Sequence, residues 1–219
     1  MSRGILTLVF DDGYQEVFDQ VLPLLQQHGI RATFAVPVET ERVAQPEGVT
    51  IASLGAWKDA CRREGHELAA HGVTHRPLTV LNDAELEREL QESRAATGAT
   101  TLVYPGGTFD DRVKRSAARM FRAARTTAWG IESLPSRDPY ALRTLTATGK
   151  NFHWWKFFPR ELQSMLINGW TIETFHRVTE RPTHLHDVSL RDFARHLAWL
   201  RHLPLRIATI REVMHAGSP

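Results

Sequence analysis

Short apolar runs alternate with stretches of helical spacing along this chain, and polar residues gather where the runs stop. Residues 5–10 are the first apolar run and end at Asp11-Asp12-Gly13, the pattern of a buried strand followed by a tight turn. Residues 16–28 have helical spacing and stop at Gly29. Pro23 would break the interior of that segment, so the main helix is expected from about Leu22, with the proline in its first turn. A second strand is expected over 31–36 and a third over 66–71, the latter ending at Gly72.

Helix starts are marked by caps. Ser53 opens a helix to Glu64 that Gly65 stops, and Asn82 with Glu85 three residues later is a capping box opening a helix to about Thr97. A strand over 101–104 is stopped by Pro105-Gly106-Gly107, and a helix is expected over 110–124. The rest predicts strands near 125–128, 142–147, 170–175 and 205–210. Helices are predicted from Pro159 to Gly169 and from a Ser189 cap to Leu203, with a loop over 129–140. Alternation of strands and helices predicts an α/β fold with a parallel sheet, open or closed into a barrel. In such folds active sites lie where strands end, and the polar residues of interest sit there.

Composition narrows the function classes. With 219 residues the chain fits one domain, residues 1–219, rather than two. The formal charge is only +2 and no Lys/Arg run appears, which argues against a nucleic-acid partner. Cys61 is the single cysteine, so no internal disulfide is possible; its setting reads as a helix with a buried thiol. No stretch reaches transmembrane length, and no apolar leader follows Met1, so no membrane insertion and a cytoplasmic location are expected. A secreted form trimmed of its signal would read the same. Oligomeric state is open.

Four groups could carry chemistry. Asp11 and Asp12 at a strand end can point differently, one to a metal and one to substrate, although Asp-Asp-Gly is also ordinary turn chemistry. His71 and His75 are four apart and meet on one face if the segment turns helically. Two imidazoles and a carboxylate make a three-ligand site with an open position, as in catalytic zinc centres. Tyr104-Pro105-Gly106-Gly107 is a turn whose small residues let backbone N–H groups approach a ligand. His176, after a late strand, is placed to act as an acid.

Taken in order, these pieces resemble the polysaccharide deacetylases, the NodB-homology domains of carbohydrate esterase family four. Val9-Phe10-Asp11-Asp12-Gly13-Tyr14 and Ile30-Arg31-Ala32-Thr33-Phe34 look like the opening of that family. Gly65-His66-Glu67-Leu68 leading into His71-Gly72-Val73-Thr74-His75 looks like its metal-binding segment. Tyr104-Pro105-Gly106-Gly107 is similar to its third motif, and Trp170 through His176 to its last. The resemblance runs from Ile5 to Val213. It implies a distorted parallel (β/α)-barrel of about seven strands and one divalent metal ion, zinc first, with cobalt, nickel or manganese as alternatives. Asp12, His71 and His75 would hold the metal. Asp11 would be the base, Tyr104 and Gly106 would serve oxyanion and substrate binding, and His176 would protonate the leaving amine. The implied reaction removes an N-acyl group, acetyl first, from a small or oligomeric amino sugar. An amide is a poor electrophile with a poor leaving group, so it needs activated water, an oxyanion site and an acid.

Departures from the family pattern define the open questions. Its third motif usually reads Arg-x-Pro-Tyr-Gly; Val103 stands where Arg is expected and Gly106 where Tyr is. The Asp-rich fourth motif is not evident between Trp129 and Arg143. A buried catalytic carboxylate needs a charged or hydrogen-bonding partner, and Arg143 is expected to support Asp11. Gly72 replaces the usual Ser or Thr of the histidine loop, and Thr174 stands where the last motif has Leu. Two alternatives follow: a hydrolase of another C–N bond (formamide or cyclic amide) on the same metal, and a catalytically inactive carbohydrate-binding domain. Residues 152–158, rich in aromatics, read as core before substrate wall or dimer contact. His66 reads as packing, and His184 and His186 as solvated.

Overall fold

In the first strand, β1 (Ile5–Asp11), all residues but the first are buried, which is why it reads as a continuous apolar run rather than an alternating one. The computed structural model describes residues 4–153 and 155–216, with residues 45–47 as backbone only. After β1, a π-helical turn over Val17–Val21 leads into α1 (Leu22–His28), with Pro23 in the first turn and Gly29 capping in a left-handed conformation. Next come β2 (Thr33–Val36), α2 (Glu41–Glu47), α3 (Leu54–Glu64) and β3 (Glu67–Ala70). α4 (Asp83–Thr97), β4 (Thr101–Val103), α5 (Asp111–Met120), β5 (Ala123–Trp129) and β6 (Leu142–Thr146) follow. The chain closes with α6 (Phe158–Ile167), β7 (Trp170–Phe175), β8 (Arg177–Thr179), β9 (Asp187–Ser189), α7 (Leu190–Leu200), β10 (Arg206–Ile207) and α8 (Ile210–Ala216).

The seven strands β1 to β7 run parallel in chain order, and β7 pairs back onto β1 from Ile5 to Phe10, closing the barrel. β2 pairs only with residues 9–11 of β1, while β10 pairs with Ile5 and Leu6. The barrel is irregular: β3 and β4 share a single recorded register pair, Ala70 with Leu102, and the β5–β6 register shifts between Arg125 and Trp129.

Period-two alternation sorts the side chains. Leu6, Leu8 and Phe10 of β1 point outward and pack under the helices with Phe34, Phe175 and Phe193. Val9 points inward and clusters with Ala123, Leu142, Trp170 and Ile172. Thr7 joins that interior, accepting from Trp170 Nε1 at 2.9 Å and donating to the Ala208 carbonyl at 2.7 Å. Cys61 is buried in α3, and burial, with Glu67 and Glu64 nearby, pushes its thiol up to about 12, so it is unreactive at neutral pH.

The capping box at Asn82 and the Ser53 and Ser189 caps are all present. Several elements differ from the sequence reading. α5 ends at Met120 and β5 already starts at Ala123, because Phe121 leaves the helix with extended backbone and buries its ring in the core. The expected strand over 205–210 is two residues long, and Ile210 starts a helix. α2 and the small parallel pair β8–β9 carry too little apolar periodicity to be read. In the aromatic segment Phe152 and Phe157 are core, whereas Trp155 is 57% exposed; Trp154 lies outside the described residues. Among the described residues no helix is long and apolar enough to cross a membrane.

Candidate active site

Asp12, His71 and His75 come together at the C-terminal end of the barrel. Asp12 Oδ1 lies 3.2 Å from His71 Nε2 and 3.1 Å from His75 Nε2, and the two imidazole Nε2 atoms are 3.2 Å apart. Local backbone strain puts them there. Asp12 and His75 have left-handed φ of 70° and 58°, two of the three described non-glycine residues that do. The turn after Asp12 depends on Gly13 at φ 79°, where a Cβ would sit 3.0 Å from Trp57 Nε1; that indole N–H donates to the Gly13 carbonyl at 3.1 Å.

These three atoms fit a cation. His71 Nδ1 lies 2.8 Å from the Val103 carbonyl, which can only accept, so Nδ1 carries the proton and Nε2 turns a lone pair toward the other two. Buried Asp12 Oδ1 meets no group other than the imidazoles of His71 and His75. Burial alone would raise the Asp12 carboxyl, but its contacts with His71 and His75 and the charge of His176 outweigh that and hold it well below the usual range, as an anion. With His75 Nε2 also unprotonated, three lone pairs face one another and repel unless a positive charge lies between them. Bonds of about 2.0 Å to a tetrahedral zinc-type ion place its ligands about 3.3 Å apart, close to the spacing found.

The loop bearing the two histidines is held by α4. Buried Glu89 accepts from the Val73 N–H at 2.6 Å, from the Thr74 N–H at 3.2 Å and from the Thr74 hydroxyl. Gly72, which replaces the family's usual Ser or Thr, has φ 75°, and a Cβ there would lie 3.2 Å from Pro105 Cγ and 3.3 Å from Glu89 Oε2. The steadying bonds therefore come from Glu89 and Thr74. Glu89→Gln keeps the size of the side chain but turns an acceptor-only group into one with an N–H₂ facing backbone donors. Zinc affinity measured by chelator competition should fall roughly 10- to 100-fold, as for other residues that orient metal ligands.

Asp11 sits one residue before Asp12 and points into the barrel, where Arg125 of β5 meets it. One guanidinium nitrogen donates to both carboxylate oxygens, at 2.6 Å to Oδ1, and both side chains are buried. This corrects the expectation for Arg143, which does not reach Asp11. Its Nε donates to Glu132 at 2.9 Å and its side chain is 45% exposed. Strand parity decides between the two: Leu142 and Thr144 of β6 face inward, so Arg143 faces out, whereas Arg125 shares the inward face of β5 with Ala123. Val103 and Arg125 are register partners on adjacent strands. Arg125 thus places a charge one strand over from Val103, at the same level. The readable signal was an arginine inside a strand, between Ala124 and Thr126, which needs a carboxylate partner once buried.

The Tyr104 side chain is also corrected. Parity with Leu102 turns it outward, where its hydroxyl donates to the Tyr140 carbonyl at 3.0 Å and its ring stacks on Phe109. Its side chain is therefore absent from the site. Gly106 is exposed, with φ 63° and open space around its Cβ position, and Gly107 approaches Thr127 so closely that a Cβ would lie 2.3 Å from it.

His176 Nε2 is 3.8 Å from Asp11 Oδ2, and a cavity of about 540 Å³ beside them is lined by Asp12, His75 and His176. His184 and His186, read as merely solvated, are exposed but line the same cavity, and the His186 ring lies 4.9 Å from that of His176. They reach it from the loop before β9, held by Asp187, which accepts from the Thr183 and His184 N–H groups at 2.7 and 2.9 Å. Nothing local in the sequence signals that approach.

A family model described as polysaccharide deacetylase matches residues 1–122. Among individual proteins, the chain is 31% identical over 133 residues to a gellan lyase of a Bacillus species, covering 58% of this chain and 5% of that protein. It is 27% identical over 125 residues to chitin deacetylase 1 of Cryptococcus neoformans var. grubii, covering 54% of this chain and 24% of that protein. The chain thus spans no more than about a quarter of the length of these relatives. The fold is that of the Xyl-CE4 domain of a multidomain xylanase from the hindgut metagenome of Trinervitermes trinervoides, with a TM-score of 0.65 at 14% identity, covering 98% and 91% of the two chains. The match to the family model spans more than half of the 219 residues, over the two motifs that supply Asp11, Asp12, His71 and His75, and the chain belongs to the polysaccharide deacetylase family.

Proposed function

We propose that this protein is a metal-dependent hydrolase that removes an N-acyl group, acetyl first, from an amino sugar. The observation that carries the reading is the convergence of Asp12, His71 and His75 beside the Asp11–Arg125 pair, at a cavity that also presents His176. Asp12, His71 and His75 would hold a divalent ion of zinc type. Such an ion supplies Lewis acidity and lowers the pKa of water from about 15.7 to about 7, making hydroxide available at neutral pH.

The chain's own residues do the rest. Asp11 takes the proton of the attacking water, and Arg125 holds the carboxylate in one orientation for that transfer. His176, which lines the cavity 3.8 Å from Asp11, gives a proton to the departing amine; without it the leaving group would be an amide anion. The Gly106 N–H, on a turn with no side chain in the way, is assigned to the oxyanion. The cavity's size suits one or two sugar rings, and its imidazole rim supplies hydrogen bonds to hydroxyls. Arg125 also bears on the inactive-domain reading, because the support that the third motif lacks is supplied from β5.

A panel of N-acetyl, N-formyl and cyclic amide substrates, tested with zinc-loaded protein for release of acid, tests the assignment. N-acetyl amino sugars should be hydrolysed fastest, and activity should vanish on chelation and return with zinc. Binding of sugars without turnover, after metal analysis has confirmed a loaded site, would overturn it.

A further inference from the structure

A second cluster of ligand-type side chains lies outside the barrel wall, under α6 and α7, away from the cavity. Parity turns Glu173 of β7 outward: Trp170, Ile172 and Thr174 take the inner face, so Glu173 and Phe175 meet the helices. α6 presents Glu161 to it and α7 presents His196. All three side chains are 0% exposed. His196 Nε2 is 2.8 Å from Glu173 Oε2 and 3.7 Å from Glu161 Oε1, and one donor atom from each residue falls within 4.8 Å of the others.

The surroundings are apolar. The His196 ring meets Phe152 and Phe157 edge-on, at 5.4 and 6.2 Å, and lies 6.3 Å from Trp199. Among the described residues neither carboxylate forms an ion pair with a lysine or arginine. Both oxygens of Glu161 and one of Glu173 are buried and meet no hydrogen-bond donor outside the triad. Burial, reinforced by the charge of Glu173 and a contact with its carboxyl, pushes the Glu161 carboxyl up, and burial pushes Glu173 up as well, against the lowering effect of its contact with Glu161: the site resists holding two negative charges unaided. The sequence would be expected to fill such a place with apolar residues, since an unpaired buried carboxylate is strongly destabilising.

We propose that Glu161, Glu173 and His196 form a second, closed metal site that holds a divalent ion of zinc type and ties α6 and α7 to β7. Two carboxylates balance the two positive charges of the ion, and a neutral imidazole completes the set, so the filled site carries no net charge into the apolar layer. The spacings of 2.8 and 3.7 Å bracket the roughly 3.3 Å expected between ligands of a tetrahedral ion. A fourth bond can come from a second oxygen of Glu161 or Glu173, which leaves no open position, as in structural rather than catalytic centres. With no path to solvent, the ion enters as the helices close over the sheet, and its binding energy becomes folding energy.

Zinc counting on untagged full-length protein, expressed with added zinc, tests this. The wild type should hold about two ions per chain, one at each site. The H71A/H75A double variant, which leaves the helices untouched, should keep about one, resistant to chelator in the native state. Glu161→Leu, which keeps the core filled, should lose that ion while keeping the one in the active site and the activity that depends on it. A folded H71A/H75A chain that holds no zinc would overturn the proposal and leave the triad held by shared protons. So would retention of both ions by Glu161→Leu.

Discussion

Replacing Asp11 by Asn should leave the catalytic ion in place and nearly abolish turnover. The two functions are separate in the structure although the residues are adjacent. Asp12 faces the imidazoles of His71 and His75, while Asp11 faces Arg125 and, at 3.8 Å, His176. An Asn at position 11 keeps an oxygen for the guanidinium but cannot take a proton. A general base contributes typically about 10²- to 10⁴-fold, and the fall in kcat should lie in that range. The check is the initial rate on an N-acetyl amino sugar together with zinc per chain. A variant with unchanged rate would remove Asp11 from the chemistry; a variant that loses its zinc would make Asp11 part of the metal site.

The second large effect belongs to Arg125. Its guanidinium is buried with the carboxylate it serves, so Arg125→Leu leaves Asp11 a buried charge with only His176, at 3.8 Å, near it. Breaking a buried pair from one side costs about 3–5 kcal/mol, to be read from the urea midpoint at constant slope. Removing both partners should cost less than the sum of the single changes, because no orphan charge remains. Arg125→Lys separates position from charge: lysine keeps the charge but not the second donor, which anchors the guanidinium to the Thr126 carbonyl at 3.2 Å. It should recover more stability than activity. Equal activity in the lysine variant and the wild type would mean that orientation of Asp11 is unimportant. Additive single changes would mean that the pair is not coupled.

The same strand arithmetic that finds Arg125 shows how far letters carry. Residues 5–10, 33–36, 67–70 and 101–103 were readable as strands because each is a short apolar run ended by Gly, Pro or an acidic pair, and Asn82, Ser53 and Ser189 announced their helices by capping. Asp12, His71 and His75 were readable because ligand types and spacing are local properties, and their meeting follows from strand ends sharing one face of the barrel. Helix α8 and the β8–β9 pair were not, because their lengths and composition fall below what periodicity resolves.

What the sequence determined by itself, then, was the alternation of strand and helix, the ends of the strands, and the residue types waiting there. Only the tertiary structure decided who answers whom. Arg143 and Arg125 are equally plausible partners for Asp11 as letters; inward or outward facing depends on a register that one residue reverses. Tyr104 left the site for the same reason, and His184 and His186 entered the cavity through a loop whose path is fixed by Asp187 rather than by its own pattern. Glu161, Glu173 and His196 lie on three elements and carry no motif, so their meeting exists only once α6 and α7 pack on β7. Backbone preferences act over a few residues, whereas pairing of buried charges acts through space, and the chain must fold before the second can be read.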